Sequence, residues 1–245
     1  MDKQLEKTIL ENYPEGLTWQ KTIPAFHPET DTEASEIFKL AHKYRQKLFI
    51  SGFGNNIDPI GDKFHDILVI KTDRLNQIIE IGASDFYITV GSGYPLKEIN
   101  RELAGQKLCF PFSDTNYAGS AGGAVAIGLT GTDNHHDLPL SRYLLEARAV
   151  LPNGDIVSPG AKTFKSVSGY DASRLFFNSW GLLGLIISIT LRIQPIVKKD
   201  EIGLPLLNQI TRRPLEEALK GSDDLGKLIT ELKNQFDPDQ ILPLI

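Results

Sequence analysis

The residues best placed to do chemistry through the backbone are Ser51-Gly52-Phe53-Gly54-Asn55-Asn56. Glycine tolerates positive φ and lets a ligand approach the main chain, and asparagine tolerates the left-handed region, so successive N–H groups can converge on an anion. A phosphate or pyrophosphate is the natural guest. No further Gly follows at the third Rossmann position and no Gly-Lys-Ser/Thr closes the loop, so a plain tight turn also fits these residues. A second stretch, from Gly119-Ser120-Ala121-Gly122-Gly123-Ala124-Val125-Ala126 on to Gly131, is built almost entirely of small residues. Such a backbone can lie close to a flat ligand or pack tightly against the protein itself, and both readings stand.

Conventional catalytic groups are sparse. His135-His136-Asp137 has metal-binding side chains, but neighbours on an extended chain point in opposite directions and no further ligands are near in sequence, so a solvated loop is expected. Cys109 lies in Lys107-Leu108-Cys109-Phe110-Pro111, the setting of a buried, inert thiol. Ser166, Ser168 and Ser173 have no histidine-and-acid set, which argues against a serine hydrolase. Tyr170 and Lys165 come nearest to conventional catalytic side chains, and no catalytic residue is assigned.

The elements that position these residues can be read from pattern. Thr30 and Glu33 have capping-box spacing, and Ala34, Ile37, Phe38, Ala41 and Tyr44 then recur at helical steps. Leu48 to Ile50 reads as a buried strand running into the glycine loop, and Ile67 to Ile70 as the next strand. Ile78 to Ile81 and Phe86 to Val90 form a pair joined by Gly82-Ala83-Ser84-Asp85. Pro95 opens a helix that Gly105 would close in a left-handed cap. Leu145 to Leu151 and Ile156-Val157 form a hairpin. Ile187, Ile189, Leu191 and Ile193 alternate with polar residues, as in a half-buried strand stopped by Pro195. Pro214 to Leu219 suggests a short helix, and Leu225, Leu228, Ile229, Leu232 and Phe236 a longer one. Residues 1 to 30 carry little pattern.

Composition narrows the class. The chain has 245 residues, 41% hydrophobic and 23% charged, as in a soluble globular protein. A net charge of −5 without a basic stripe argues against nucleic acid as a partner. The single cysteine excludes an internal disulfide and a cysteine-ligated iron–sulfur cluster within this chain. The charged N-terminus has no apolar core of a secretory signal, and the longest apolar run, Leu182 to Ile187, is too short to span a bilayer. A cytoplasmic protein without membrane insertion is expected.

Taken in order, four segments resemble the FAD-binding domain of the vanillyl-alcohol-oxidase (PCMH-type) flavoproteins, closest to the glycolate oxidase and D-lactate dehydrogenase branch. They are Ser51 to Asn56; Leu68-Val69-Ile70 through Arg74-Leu75-Asn76 and Gly91-Ser92-Gly93 to Asn100; Gly119 to Ala126; and Lys165-Ser166-Val167-Ser168-Gly169-Tyr170-Asp171 to Phe176 followed by Gly181 to Ile186. The resemblance implies an α+β fold of two subdomains that clamp an extended, non-covalent FAD. It divides the chain into an N-terminal extension (1–27), a cofactor domain (28–195, subdomains about 28–93 and 94–195) and a short helical C-terminal segment (196–245). It implies cofactor contacts at Ser51, Gly52, Phe53, Gly54, Asn55, Asn56, Ser113, Gly119, Ser120, Gly122, Gly123, Ala126, Lys165, Gly184 and Ile186, with no metal. The pyrophosphate would meet Gly52 to Asn56, the flavin would lie beside Ser120, Gly122 and Gly123, and the adenine would sit near Gly184 to Ile186.

One departure shapes the functional expectation. Only about 40 residues separate Pro195 from Phe236, too few for the family's substrate-covering cap. The expected role is therefore the FAD-binding subunit of a 2-hydroxy-acid oxidoreductase, similar to a glycolate oxidase, working with a second oxidoreductase subunit or an electron carrier on a small hydroxy acid. A stand-alone small flavin oxidase would instead reduce its flavin with substrate alone. A non-catalytic scaffold that has lost the cofactor would be colourless and indifferent to FAD.

Overall fold

A computed structural model describes residues 1–57, 59, 61–133, 136–162, 172–196 and 224–243. The first layer begins earlier than the sequence pattern suggests. The Asp2 carboxylate accepts from the N–H groups of Gln4 and Leu5 and caps α1 (Lys3–Asn12), which buries Leu5 and Ile9. β1 (Leu17–Gln20) and β2 (Ile23–Phe26) pair antiparallel across a turn in which Lys21 has φ 58°. These strands are too short for a visible period, and all residues of β2 are buried, so no alternation marks them.

α2 (Asp31–Tyr44) follows the sequence reading closely. Thr30 Oγ1 accepts from Glu33 N–H at 3.2 Å, and Ala34, Ile37, Phe38 and Ala41 are buried. The Glu33 carboxylate reaches back one residue further than the cap, to the N–H of Glu29. β3 (Lys47–Ser51) and β4 (Ile67–Lys71) complete a four-stranded sheet in the order β1-β2-β4-β3. β4 runs parallel to both β2 and β3, so the glycine loop leaves β3 at the carboxyl ends of parallel strands, where open sheets bind ligands.

The second layer is an antiparallel sheet of β5 (Ile78–Gly82), β6 (Tyr87–Gly91), β10 (Leu144–Val150), β11 (Ile156–Val157) and β12 (Leu185–Arg192), in the order β11-β10-β12-β6-β5. Short β7 (Leu108–Cys109), β8 (Thr130–Asp133), β9 (His136–Pro139) and β13 (Gln194–Pro195) form two small ribbons beside it. α3 (Ile99–Leu103) and α4 (Ala121–Ala126) pack with this sheet around Phe110, Phe112, Val125 and Ile189. The left-handed residue that ends the α3 region is Lys107, φ 55°, and not Gly105, because a 3₁₀ turn carries the helix past the glycine.

β12 also differs from expectation: it is buried on both faces, down to Ser188 and Thr190. As the middle strand it is covered on each side, and the Thr190 and Thr89 hydroxyls satisfy each other at 2.9 Å. Leu185 and Ile187 enter the core that holds Phe26 and Phe38, whereas Ile186 and Ile189 enter the core that holds Phe110 and Phe112. One strand therefore joins both layers.

α5 (Asp224–Phe236) leads into a folded C-terminal ending. Asp237, 1% exposed, pairs with Lys233 and accepts from the N–H groups of Ile241 and Leu242 at 2.8 Å each. Ile241 C=O in turn accepts from Leu48 N–H at 2.8 Å, tying the ending to the base of β3. The expected helix at Pro214 to Leu219 lies outside the described residues. No helix among the described residues is long and apolar enough to cross a membrane.

Candidate functional site

The two small-residue stretches meet across a cleft with about 760 Å³ of free space, counting its open mouth. On one side, β3 delivers Ser51 to Asn56. On the other, Ser120 caps α4, its Oγ accepting from Gly123 N–H at 3.1 Å. A Cβ on Gly52 would stand 2.9 Å from Ser120 Oγ, so a larger residue there would have to displace the hydroxyl that caps α4. Asn55 pins the loop by donating its side-chain N–H to Ala118 C=O at 3.1 Å. On the second wall, a Cβ on Gly122 would meet Ser92 Cβ at 2.5 Å, which explains glycine there by protein packing.

Ser51, Gly52, Phe53, Gly54, Asn55, Asn56, Gly119, Ser120, Gly122, Gly123, Ala126, Gly184 and Ile186 all line this cleft. Ser113 does not. Its hydroxyl donates to Lys97 C=O and accepts from Asn100 N–H, both at 3.0 Å, which fixes the start of α3. Lys165, Tyr170 and His135 lie outside the described residues. Cys109 is buried, and burial first, then the charge of Asp114, raises its thiol pKa, consistent with an inert side chain.

The cleft also recruits residues that sequence reasoning passed over: Phe49, Ile50, Ile57, Thr72, Ser92, Tyr117, Ile127, Trp180 and Gly181. Among them Ser92 is distinctive. It is 1% exposed, and its Oγ has no hydrogen-bond partner among the described residues. Its backbone is fully engaged, N–H to Ile187 C=O and C=O from Gly122 N–H, so the hydroxyl is held in place while its own valence stays open. The signal was its place between Gly91 and Gly93, but glycine neighbours alone do not reveal an unpaired hydroxyl.

The electrostatics suit an anion at the loop. Lys71, at the end of β4, donates from Nζ to Ser51 Oγ at 3.3 Å; it forms no salt bridge with a carboxylate among the described residues, although its charge also acts on Asp73. The loop N–H groups, with Gly54 at φ 77°, complete a backbone-rich cradle. Ser51, Thr72, Ser92 and Ser120 line the cleft, and Phe49, Ile50, Ile57 and Trp180 line both it and a smaller adjoining pocket that none of those four lines. An elongated ligand with a charged middle and flat ends fits that distribution.

Comparison with known proteins agrees with this geometry. A family model described as FAD binding domain matches residues 24–160, more than half of the chain. The mitochondrial D-lactate dehydrogenase [cytochrome] of Arabidopsis thaliana is 28% identical over 216 residues, covering 82% of this chain and 37% of that protein. The D-lactate dehydrogenase of Archaeoglobus fulgidus is 27% identical, covering 69% of this chain and 38% of that protein. Glycolate oxidase subunit GlcD of Bacillus subtilis is 28% identical, with 75% and 39% covered. The chain thus spans under two fifths of the length of each of these relatives. A solved alkyldihydroxyacetonephosphate synthase matches with a TM-score of 0.64 at 16% identity, covering 81% of this chain and 42% of that one, which shows the two-subdomain fold.

Proposed function

Because this chain belongs to the FAD binding domain family, we propose that the cleft holds a dissociable FAD and that the protein is the flavin-bearing part of a 2-hydroxy-acid oxidoreductase. The observation that carries this reading is the buried hydroxyl of Ser92, without a partner among the described residues, on a residue lining a cleft that the glycine loop also lines. A buried hydroxyl without a partner costs about 1–3 kcal/mol, and a polar ligand removes that cost.

The bound flavin would supply hydride acceptance; the chain would bind, orient and shield. The N–H groups of Gly52 to Asn56 would hold the pyrophosphate, with Lys71 as a positive charge behind Ser51. Ser92 and the Gly122-Gly123 backbone would bear on the other wall of the cofactor. Lys165 remains a proposed contact, implied by the resemblance, whereas Ser113 is off the cleft and would act only through the placement of α3.

The match to a glycolate oxidase subunit supports a partner chain or electron carrier and a small hydroxy acid as substrate. The test is the visible spectrum of the purified protein, repeated on the supernatant after acid precipitation. Flavin bands that pass to the supernatant are expected. A protein that shows no bands and gains none with excess FAD would sink the proposal, and bands that stay in the pellet would overturn its dissociable form.

A further inference from the structure

Residues 178–181 are held in an unusual conformation. Asn178, Trp180 and Gly181 have φ of 60°, 53° and 76°, and for a residue as bulky as tryptophan the left-handed region is a true outlier. The segment is tied down rather than loose. Asn178 N–H donates to Val125 C=O at 3.0 Å, Trp180 N–H to Ala126 C=O at 2.8 Å, and Ser179 Oγ to Phe176 C=O at 2.8 Å. The indole Nε1–H donates to Asn178 Oδ1 at 3.1 Å, so the ring itself is oriented. A glycine or asparagine would sit here with less strain, so the side chain is retained against a backbone cost.

The ring stands at one end of the cleft. Trp180 lines both the large cleft and a smaller adjoining pocket, together with Phe49, Ile50, Ile57 and Gly181. That smaller pocket is closed by Leu182, Leu242 and Pro243, and none of the cleft's hydroxyl residues lines it. No aromatic ring among the described residues pairs with the indole. The end marked by Trp180 is therefore lined by apolar residues, and its oriented indole, partly packed on the core that holds Phe110, has no aromatic partner among the described residues.

Resting on the reading of the cleft as an FAD site, we infer that the indole of Trp180 is the stacking wall for the adenine ring. Of the two rings of FAD, the isoalloxazine carries the longer row of polar atoms and must stay reachable by substrate, which suits the open, hydroxyl-lined part. Adenine presents two flat apolar faces and a short polar edge, which suits the hydroxyl-free end. Trp180 thereby positions the cofactor without touching the reacting atoms.

The chain has two tryptophans, and Trp19 lies on β1, half exposed and away from the cleft lining. In a Trp19→Phe protein stripped of flavin, Trp180 is the sole indole emitter. ADP should quench its emission saturably. Trp180→Asn, which suits the left-handed backbone, should weaken ADP and FAD about 10- to 100-fold while leaving FMN affinity unchanged. Trp180→Phe should stay within about threefold of wild type. If FAD binds but ADP leaves the emission unchanged, or if Trp180→Asn weakens FMN rather than ADP, the inference is overturned while the FAD site stands. Should Trp180→Asn not fold, the ADP quenching and the Trp180→Phe affinity decide. A wild-type protein that binds no FAD overturns both.

Discussion

Two buried polar groups in this molecule are treated in opposite ways. The Asp237 carboxylate, 1% exposed, is saturated by Lys233 and by two backbone N–H groups. The Ser92 hydroxyl, also 1% exposed, has no hydrogen-bond partner among the described residues. The first closes the C-terminal ending against β3. The second belongs to a residue that lines the cleft. Satisfied polar groups of this kind hold a fold together, and an unsatisfied one at a cavity wall marks where the molecule is incomplete without a ligand.

The largest effect should come from breaking the satisfied group. Asp237→Ala leaves Lys233 buried without a counter-charge and strands the N–H groups of Ile241 and Leu242, so it should cost about 3–5 kcal/mol in urea unfolding, with or without FAD. Burial already lowers the Lys233 pKa despite the opposing pull of Asp237, which marks how costly that charge is to hold alone. A loss below about 1 kcal/mol would show that the ending contributes little.

Ser92→Ala should change sign with ligand. Without FAD it removes an unpaired buried hydroxyl and should leave stability unchanged or raise it by up to about 1 kcal/mol. FAD affinity should nonetheless fall about 3- to 10-fold, one hydrogen bond's worth, read by flavin fluorescence titration. Destabilisation of the unligated protein by more than about 1 kcal/mol would erase the contrast with Asp237.

An exposed pair supplies the lower limit. Asp73 Oδ1 lies 2.8 Å from His27 Nδ1, and this hydrogen bond, against a smaller opposing effect of burial, lowers the Asp73 pKa below its ordinary value of 3.8. A depressed carboxylate pKa adds stability above the unfolded pKa, and that stability is lost as pH falls through the folded pKa. With its side chain 46% exposed, the pair should contribute under about 1 kcal/mol. Wild type and Asp73→Asn should therefore differ at about pH 6 and converge on acidification below the folded pKa, in urea melts at each pH. A difference that grows as pH falls would contradict this.

The same contrast explains what the sequence can and cannot convey. α2 was legible because its Thr30 cap and the spacing of Ile37 and Phe38 are local. β3 with its glycine loop and the small-residue wall were legible because composition restricts what such backbones can do. α1, β1 and β2 were not, since Leu5, Ile9 and Phe26 are buried in a core shared with α2 and with strands distant in sequence. β12 was read as half-buried because alternation records side-chain type, while Ser188 and Thr190 are buried by the layer covering their face. Ser92 and Trp180 were missed for a related reason. An empty hydrogen-bond valence and a left-handed φ belong to the assembled structure and have no letter of their own.

β12 sends Leu185 and Ile187 into one core and Ile186 and Ile189 into the other. A cleft whose walls share a spine cannot open like a jaw. Swinging the layers apart would pull alternate side chains of a single strand out of two close-packed interiors at once. A long cofactor would then enter by sliding along the cleft, which the exposed residue Phe53 lines. Capture and release should accordingly be slow, limited by motion of the 52–57 loop rather than by hinge closure.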